Sequence, residues 1–399
     1  MNKEIDFIFS PEAIRERTGK LYDLTKEGKT HFELNEDKLK ETADFVLEVI
    51  KDNYPSLEIP FHSRWGHFKV GDINRVDILD DKMKDADAIE KARTKLDLVI
   101  TSVLLDAGAG PTWKFVEDGK TFNRSEGLGV ASFHMFMKGA FSNNTSLKAD
   151  GASLKNISAK DVENHFQVSE DNPLVGAEGR AGLLRSLGDC VSSNKEAFKD
   201  ARPGNIIDYM IQKHGKSFKA KDLLKAVLEL FGPIWPSRIN LYDTNLGDVW
   251  RHPLLGDMDK DESLVPFHKL SQWLTYSLIE PIMEAGIDVS DAHEMTGLAE
   301  YRNGGLFVDM GVISLKDSSL LDVAHKPDSE VIIEWRALTI QLLDRIADLV
   351  RENLNFTAND FPLAKVLEGG TWWAGRRVAK EKRADSSPPL KLDSDGTVF

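Results

Sequence analysis

The chain has almost no cysteine, no long apolar run and fewer basic than acidic residues, and each shortage excludes a class of protein. Its single cysteine, Cys190, cannot form a disulfide or a cysteine-based zinc site within one chain. The 51 Lys and Arg against 65 Asp and Glu give a net charge of -14, which argues against nucleic-acid binding because phosphate contact needs a basic face. No window approaches the roughly 20 apolar residues of a membrane span. We therefore expect a small-molecule substrate as partner, with no nucleic acid and no membrane.

Familiar catalytic signatures are also missing. The sequence contains no G-x-S-x-G elbow, no H-E-x-x-H, no Walker A and no credible dinucleotide fingerprint. We therefore expect no cofactor and no metal. The start, M-N-K-E-I-D-F-I-F-S, has no long apolar stretch of the kind found in secretory signals. Together with the lone cysteine, this favours a cytoplasmic protein. The sequence does not indicate an oligomeric state.

Helical periodicity dominates what is present, because apolar residues recur at spacings of three and four. Strand signals are few, and no alternation of strand and helix indicates a doubly wound sheet. We expect a mainly α fold, a multi-helix globule with a few short strands. Helices are predicted at 37–53, 86–106, 125–139, 174–187, 204–214, 220–230, 268–285 (broken near Pro281) and 330–354, a strand at 306–312, and a hairpin at 113–122 that turns at Asp118-Gly119.

The length of 399 residues exceeds one ordinary core. We expect a single compact catalytic unit over residues 1–379, with two intimately packed helical lobes (about 1–200 and 201–379) as the alternative. Residues 380–399 are polar and include S-P-P, so composition indicates a linker or tail. Its end, D-G-T-V-F, is apolar enough to dock back onto the body.

The segment 298–309, L-A-E-Y-R-N-G-G-L-F-V-D, has the highest density of side chains suited to catalysis. It sets Glu300, Tyr301 and Arg302 side by side and ends in a second carboxylate, Asp309. Apolar residues bracket these charges, and a buried carboxylate needs a reason because unpaired charge is costly inside a protein. We favour catalysis as that reason.

A loop at 61–68, F-H-S-R-W-G-H-F, packs polar side chains between aromatic ones. His62 and His67 have neither the spacing of a helical zinc pair nor that of a zinc finger. One interpretation is a substrate clamp in which Arg64 meets an anion and Trp65 forms a flat wall. The alternative is an interface loop whose aromatic residues belong to the core.

Two further motifs flank predicted helix ends. Asp106 ends a buried helix, where a carboxylate is unfavourable on dipole grounds, so it is a candidate site residue. The alternative is a simple helix stop before the following glycines. Arg124 and Glu126 open the next buried helix, with Ser125 as the expected N-cap. They serve either that helix start or an anion or sugar bound at its N-terminus.

The segment 267–274, F-H-K-L-S-Q-W-L, opens another predicted helix. His268, Lys269, Gln272 and Trp273 either form a charged helix surface or line a pocket. The segment 371–377, T-W-W-A-G-R-R, pairs aromatic with basic residues and favours a packed anchor or a lid over a pocket.

These motifs together resemble the uracil-catabolism family of fungi and bacteria, long described as a domain of unknown function. The resemblance is carried by F-H-S-R-W-G-H-F, S-V-L-L-D-A-G-A-G, R-S-E-G-L-G-V-A-S-F, L-A-E-Y-R-N-G-G-L-F-V-D, T-W-W-A-G-R and D-G-T-V-F. It covers most of the chain. It implies a place in the pathway that opens the uracil ring and ends in urea.

A second similarity, over about a quarter of the chain, concerns mechanism. F-H-K-L-S-Q-W-L and L-A-E-Y-R are similar to F-Y-K-R-A-Q-I-L and F-A-D-Y-R of the queuosine-salvage N-glycosylases, mainly helical enzymes that cleave a ribosyl–base bond. The resemblance places Glu300 at that family's Asp. The family's second Asp falls near Ser277 here, so Asp309 and Asp106 become the candidates to replace it.

Joined, the two resemblances imply hydrolysis of an N-ribosyl bond to a urea-type leaving group, as in ribosylurea or its 5-phosphate. We expect Glu300 to stabilise an oxocarbenium-like transition state or to activate water. Asp309 or a histidine of the 62–67 loop would assist the leaving group. Sugar or phosphate contacts are assigned to Arg302, Arg64, Arg124 and Lys269, and flat walls to Trp65 and Trp273.

Two other functions stay open. One is amide hydrolysis of an open-chain ureido compound. The other is a non-catalytic binding or scaffolding subunit of the same pathway, which predicts that the candidate residues are scattered over separate surfaces.

Overall fold

The computed structural model describes residues 2–106, 108–143 and 147–393, and over these the protein is mainly α-helical, as the sequence predicts. The helices are α1 (Lys3–Ile8), α2 (Pro11–Lys26), α3 (Leu39–Asn53), α4 (Arg75–Lys82), α5 (Ala88–Leu104), α6 (Arg124–Met137), α7 (Gly151–Leu154), α8 (Ala159–His165), α9 (Ala177–Ser193), α10 (Ile206–His214), α11 (Ala220–Phe231), α12 (Lys269–Glu284), α13 (Tyr301–Asp309), α14 (Glu330–Leu354), α15 (Leu363–Val366) and α16 (Trp372–Lys382). Each helix predicted from periodicity is confirmed, with ends shifted by up to six residues, and α14 has the predicted bounds. In the described part of the chain, no helix has both the length and the apolar character needed to cross a membrane.

The strands are short and pair only two at a time in the described residues. They are β1 (Phe32–Leu34), β2 (Lys114–Glu117), β3 (Lys120–Asn123), β4 (Ser217–Lys219), β5 (Asn240–Leu241), β6 (Thr244–Asn245), β7 (Val249–Arg251), β8 (Leu264–Pro266), β9 (Asp288–Ser290), β10 (Ile313–Leu315), β11 (Ala324–His325) and β12 (Lys391–Leu392). The pairs β1–β10, β2–β3, β5–β6 and β7–β8 are antiparallel, and β4–β9 and β11–β12 are parallel. The pair β2–β3 is the predicted hairpin.

The chain folds into two compact units, each built from separate stretches of sequence. Unit 1 comprises Met1–His62, Ser237–Gln272 and Asp291–Phe399, and unit 2 comprises Ser63–Pro236 and Trp273–Ser290. The predicted two-lobe alternative places a single cut near residue 200. Contacts between residues far apart in sequence define the observed division, and helical periodicity does not report such contacts.

Helix α14 forms the centre of unit 1, where it packs against α2, α3 and α13. Burial of each large apolar side chain contributes about 1.5–3 kcal/mol. Because Ala299 belongs to this core, the backbone that leads into α13 is fixed beside α14. The core cluster consists of Ile14, Leu21, Trp250, Val265, Phe267, Ala299, Ile333, Ala337 and Ile340.

In unit 2, α5 packs against α6 and α9. The second half of α5, which becomes wholly apolar at Leu98-Val99-Ile100, is buried as expected. Close approach of the 64–72 segment to α6 depends on Gly129, since an added Cβ there would lie 2.8 Å from His67 Cβ. The G-L-G of the motif therefore serves packing.

The strand predicted at 306–312 is wrong, because most of these residues belong to α13 and the strand that follows is β10. The preceding Gly304-Gly305 step resembles a turn in the sequence. In the structure, Gly304 allows α13 to approach α14: an added Cβ would lie 2.8 Å from the Trp335 ring, and Trp335 Nε1 donates to the Gly304 carbonyl at 3.0 Å. The glycine thus permits close helix packing here.

The helix break predicted at Pro281 is also wrong, because α12 continues through it. Proline has no N–H to donate to the carbonyl of Ser277, four residues earlier. Trp65 Nε1 donates to that carbonyl instead, at 2.7 Å. The indole therefore replaces the missing backbone donor.

Part of the polar tail is ordered against unit 1. Leu390 is fully buried, β12 pairs with β11, and the backbone N–H of Asp393 donates to the His325 carbonyl at 2.8 Å. The terminal D-G-T-V-F, predicted to dock on the body, lies outside the described residues.

Candidate functional site

Glu300 is the N-cap residue of α13, and it is only 7% exposed. Its carboxylate accepts hydrogen bonds from the backbone N–H groups of Arg302 at 2.8 Å and Asn303 at 2.5 Å. Ser, Thr, Asp and Asn are the preferred N-cap residues, so a buried Glu is unusual. An ionised carboxylate has about four acceptor positions. Two are used by the helix, and in the described part of the chain no other group donates to this carboxylate.

Burial raises the pKa of Glu300, while Lys269, the two backbone N–H groups and His62 act to lower it, leaving a pKa above the ordinary value. The positive charges of Lys269 and His62 therefore act directly on this carboxylate. A carboxyl group with a raised pKa can exchange protons nearer neutral pH. We call Glu300, Lys269, His62 and Glu368 the Glu300 cluster, and all four belong to unit 1.

His62 is held by a carboxylate. Its Nδ1 lies 2.7 Å from Glu368 Oε2, and the Tyr54 hydroxyl donates to Glu368 Oε1 at 3.2 Å. Burial and the neighbouring Glu368 raise the pKa of Tyr54, which keeps the phenol protonated as a donor. A carboxylate at Nδ1 fixes the ring orientation and places the other nitrogen for proton transfer. The Tyr54–Glu368–His62 chain therefore has the arrangement that an acid–base relay requires.

Glu368 lies in a π-helical turn, Leu367–Thr371, between α15 and α16. Such turns hold an extra residue and are frequent at functional sites. The turn packs closely on α3, since an added Cβ at Gly370 would lie 2.7 Å from Val46 Cγ1. The Thr371 hydroxyl, at its end, donates to Asn303 Oδ1 at 2.9 Å. The π-turn is thereby joined to the first turn of α13.

The T-W-W-A-G-R motif contributes an aromatic side chain to the same region. The ring centroid of Trp372 lies 6.0 Å from that of His62. Trp372 also carries the Arg376 guanidinium over its ring at 4.8 Å, whereas Trp373 is 37% exposed. Of the two tryptophans, Trp372 is thus the one placed to contact a ligand at His62.

The side chain of Arg302 does not bind Glu300, although its backbone N–H does. The guanidinium donates through Nη1 to the Ser386 carbonyl at 2.8 Å and lies over the Tyr301 ring at 5.1 Å. Arg302 therefore holds the tail. The basic side chain whose charge acts on Glu300 is that of Lys269.

Asp309 lies at the opposite end of α13 from Glu300. Nine residues of helix span about 13 Å, and both oxygens of Asp309 accept from Arg383, at 2.7 and 2.6 Å. The structure therefore separates this predicted second carboxylate from Glu300 and gives it a partner in the segment after α16.

Unit 2 holds a different charged group, built on Arg64, which is fully buried. Its Nε donates to Ser102 Oγ at 2.7 Å, and its Nη1 donates to Asp106 Oδ1 at 2.8 Å and to the Ser125 carbonyl at 3.2 Å. Its Nη2 is buried and has no hydrogen-bond acceptor among the described residues. We call Arg64, Ser102, Asp106 and Trp273 the Arg64 cluster.

Trp273 joins this cluster through its ring. The Arg64 guanidinium lies 5.7 Å from the ring centroid of Trp273, and His67 packs edge-on against the same ring at 5.9 Å. The indole Nε1 is buried and, among described residues, has no acceptor. Two buried donors, on Arg64 and Trp273, thus remain for a ligand oxygen.

The remaining residues of these motifs are divided between core and surface. Trp65 is 5% exposed and bonded to Ser277, so it serves the core. Arg124 is exposed and begins α6, and Glu126 is half-buried in its first turn. The predicted N-cap at Ser125 is wrong, because Asn123 occupies that position without a side-chain cap bond.

His268 and Gln272 form hydrogen bonds inside unit 1, although His268 Nδ1 is buried and bonds to no described residue. His268 Nε2 bonds to the Ile8 carbonyl at 2.9 Å, and burial lowers the pKa of its ring. The Gln272 amide exchanges hydrogen bonds with Thr296, at 2.7 and 2.9 Å. Both residues therefore position the start of α12, from which Lys269 acts on Glu300.

The sequence analysis did not single out Glu368 or Tyr54. Neither stands in a motif that indicates chemistry, and only the folded chain brings them to His62, more than 300 residues from Glu368 in sequence. The available signal was the Gly369-Gly370 pair, which marks close backbone packing.

Burial raises the pKa of the Cys190 thiol to about 11, which makes that residue inert as a nucleophile.

Fold and site together define a mainly α protein with a Glu–His–Lys cluster around the buried Glu300 in one unit and an Arg–Asp cluster around the buried Arg64 in the other. The chain belongs to the family described as protein of unknown function DUF1688, which matches residues 7–399. It is 37% identical to Uracil catabolism protein 4 of Lachancea kluyveri, over the whole of both chains. It is 40% identical to Protein urg3 of Schizosaccharomyces pombe, over 91% of this chain and 90% of that protein. The resemblance recognised from the motifs is thus confirmed.

Proposed function

We propose that this protein acts in uracil catabolism as a hydrolase of N-ribosyl bonds, releasing urea and the sugar from ribosylurea or its 5-phosphate. The full-length similarity to a protein named Uracil catabolism protein 4 supports the pathway. The observation that carries the reaction is the buried Glu300 carboxylate, which has free acceptor positions and a raised pKa.

The reaction needs a carboxylate of this kind. Breaking the bond between C1′ and nitrogen leaves positive charge on the sugar carbon and its ring oxygen. A fixed negative group stabilises that charge, and in a dry site it does so more strongly than water would. Glu300 is held rigidly by α13, so it is organised before the substrate arrives.

The leaving group sets the second requirement. Urea leaves poorly as an anion, so its nitrogen takes a proton as the C1′–N bond breaks. His62, oriented through Nδ1 by Glu368, is our proposed donor. Water then adds to C1′ and gives up a proton to Glu300, so the products are urea and the free sugar. His62 replaces Asp309 in this role because Asp309 lies at the far end of α13.

Lys269 completes the proposed site. Its charge lowers the pKa of Glu300 and so keeps a usable fraction of that carboxylate ionised. Trp372, beside His62, offers a flat apolar face to the planar urea or to the sugar. The similarity to queuosine-salvage N-glycosylases, which first indicated glycosidic cleavage, stays a prediction.

The test is to incubate the full chain with ribosylurea and with its 5-phosphate in water enriched in oxygen-18. We expect urea and reducing sugar in equal amounts, with the heavy oxygen at C1 of the sugar. Release of ammonia or carbamate with the glycosidic bond intact would instead identify a ureido amide hydrolase. Absence of turnover on both substrates, with tight binding of either, would identify a binding subunit. Either result would overturn the proposal.

A further inference from the structure

Three potential metal ligands meet at the start of α14 in unit 1. Glu330 and Glu334 are four residues apart, so their side chains lie on one face of the helix. His31, which precedes β1, faces them. One ligand atom from each of the three residues lies within 4.8 Å of the others. Glu330 is exposed and His31 is half-buried, while Glu334 is 1% exposed, so the group has a buried floor and an open rim.

The floor is held in place by the backbone. Glu334 Oε2 accepts the backbone N–H of His31 at 2.8 Å, and Glu334 Oε1 lies 3.1 Å from His31 Nδ1. Two ligands of a tetrahedral ion, each about 2.0–2.1 Å from it, are about 3.3 Å apart. The nitrogen–oxygen spacing of 3.0–3.1 Å is that of a hydrogen bond between His31 and Glu334, and it also suits two neighbouring metal ligands.

His252 supplies a second, independent observation. It is fully buried, and its Nε2 lies 3.3 Å from Glu334 Oε1 but makes no hydrogen bond with any described residue. Its Nδ1 accepts the backbone N–H of Leu254 at 3.3 Å, so Nε2 carries the proton. A buried donor that faces a carboxylate without bonding to it is costly. A small turn of that carboxylate towards an ion would bring one of its oxygens into line with the donor.

We propose that His31 Nδ1, Glu330 and Glu334 bind a divalent transition metal ion, with His252 behind them as a donor that orients Glu334. One imidazole and two carboxylates suit Zn²⁺, Mn²⁺ or Fe²⁺ better than Ca²⁺ or Mg²⁺, which prefer oxygen ligands alone. Three protein ligands leave coordination positions open for water. Outer donors such as His252 commonly fix the orientation of ligating groups.

This site shares no residue with the Glu300 cluster, and it does not rest on the proposed hydrolysis. A second group, Asp291, His293 and Glu294, also brings three potential ligands within 4.8 Å. All three of its residues are half-buried, so none lies as deep as Glu334. It therefore serves as an internal control.

The test uses the full chain after dialysis against EDTA, titrated with Co²⁺ as a visible-absorption probe and with Zn²⁺ by calorimetry. The variants are His31→Ala and Glu330→Gln, which alter the rim and spare the buried floor. The matched controls are His293→Ala, in the second group, and His214→Ala, an exposed histidine at the end of α10. Thermal melts of each variant check that it is folded.

We expect one Co²⁺ or Zn²⁺ per chain, with binding weakened at least about tenfold by His31→Ala and by Glu330→Gln. Mg²⁺ at the same concentration should not displace Co²⁺. Failure to bind one equivalent, or unchanged affinity in both rim variants, would overturn the proposal. So would a loss of affinity in His293→Ala that equals the loss in His31→Ala.

Discussion

The Glu300 cluster and the Arg64 cluster both bury charge, but they neutralise it differently. Arg64 is bonded directly to the carboxylate of Asp106 at 2.8 Å and to two further oxygens. Among the described residues, no charged side chain forms such a bond with Glu300. It accepts two backbone N–H groups, and the charges of Lys269 and His62 act on it without removing the cost of its burial, since its pKa stays raised.

The difference indicates which charge is free to act. A buried ion pair that is closed on itself holds two elements together and changes little during a reaction. A carboxylate kept at a raised pKa, with acceptor positions left open, can meet a developing positive charge or a proton. We therefore place the chemistry at Glu300. Arg64 has a binding role at most, through the one nitrogen that its ion pair leaves unused.

The largest effect is expected on stability, from breaking the buried ion pair between Arg64 and Asp106. Asp106→Asn leaves the fully buried Arg64 guanidinium without its counter-charge, which should lower the free energy of unfolding by about 3–5 kcal/mol. Chemical denaturation of the full chain measures this. Asp118→Asn, in the exposed hairpin turn, is the control and should change stability by less than about 0.5 kcal/mol. Equal stability of the Asp106 variant and wild type would show that the ion pair does not stabilise the fold.

Turnover should fall when the Glu300 cluster is changed. Glu300→Gln keeps the size and one acceptor of the side chain but removes the negative charge, so kcat on ribosylurea should fall at least about 100-fold. Glu41→Gln, an exposed carboxylate on α3, is the matched control and should turn over like wild type. Unchanged kcat in a folded Glu300 variant would reduce Glu300 to a helix cap.

A smaller effect on turnover is expected from Glu368, which contacts His62 rather than the proposed substrate. Glu368→Gln removes the carboxylate that orients His62, so kcat should fall about tenfold while KM changes little. Glu368→Asp keeps the charge and should recover part of the loss. A rise in KM alone, or no recovery with Asp, would mean that Glu368 only supports the fold of the π-turn. Steady-state kinetics on the three proteins distinguishes these outcomes.

The smallest effect concerns stability and pH. Because the pKa of Glu300 is raised in the folded state, ionisation costs folding free energy, and this cost grows as pH rises from about 4, the unfolded value, through the folded pKa. Glu300→Gln cannot ionise, so the stability of the variant relative to wild type should increase from pH 4 to pH 8. Melting temperatures across that range measure it. A difference that is flat or falls with pH would contradict the raised pKa.

Much of the fold could be predicted, because it rests on local patterns. The period of α14 and the turn chemistry of the hairpin at 118–119 are written in neighbouring residues. The two wrong predictions, the strand at 306–312 that follows Gly304 and the helix break at Pro281, have one cause. In each case the local preference is overridden by a residue distant in sequence, Trp335 or Trp65, which packs on the glycine or replaces the missing N–H.

The candidate site could be predicted only where a residue is unusual among its neighbours in the sequence. Glu300 stood out because charge is rarely set among so many apolar residues, and its burial agrees with that expectation. Asp309 was grouped with it because the two are close in sequence, but a helix carries its ends apart. Glu368 gave no signal, because its significance depends on a contact with His62 that only the tertiary structure creates.

The π-turn at Leu367–Thr371 has a consequence for how this family can change. A single extra residue is accommodated there, so removing one residue would let the chain run as an ordinary α-helix through the same stretch. The helix beyond the turn, including Trp372, would keep its place, but the widened turn that carries Glu368 would be lost, and with it the contact between Glu368 and His62. A one-residue deletion that leaves the protein folded should therefore separate Glu368 from His62, and in a natural relative it would mark a chain that has kept the scaffold without this pair.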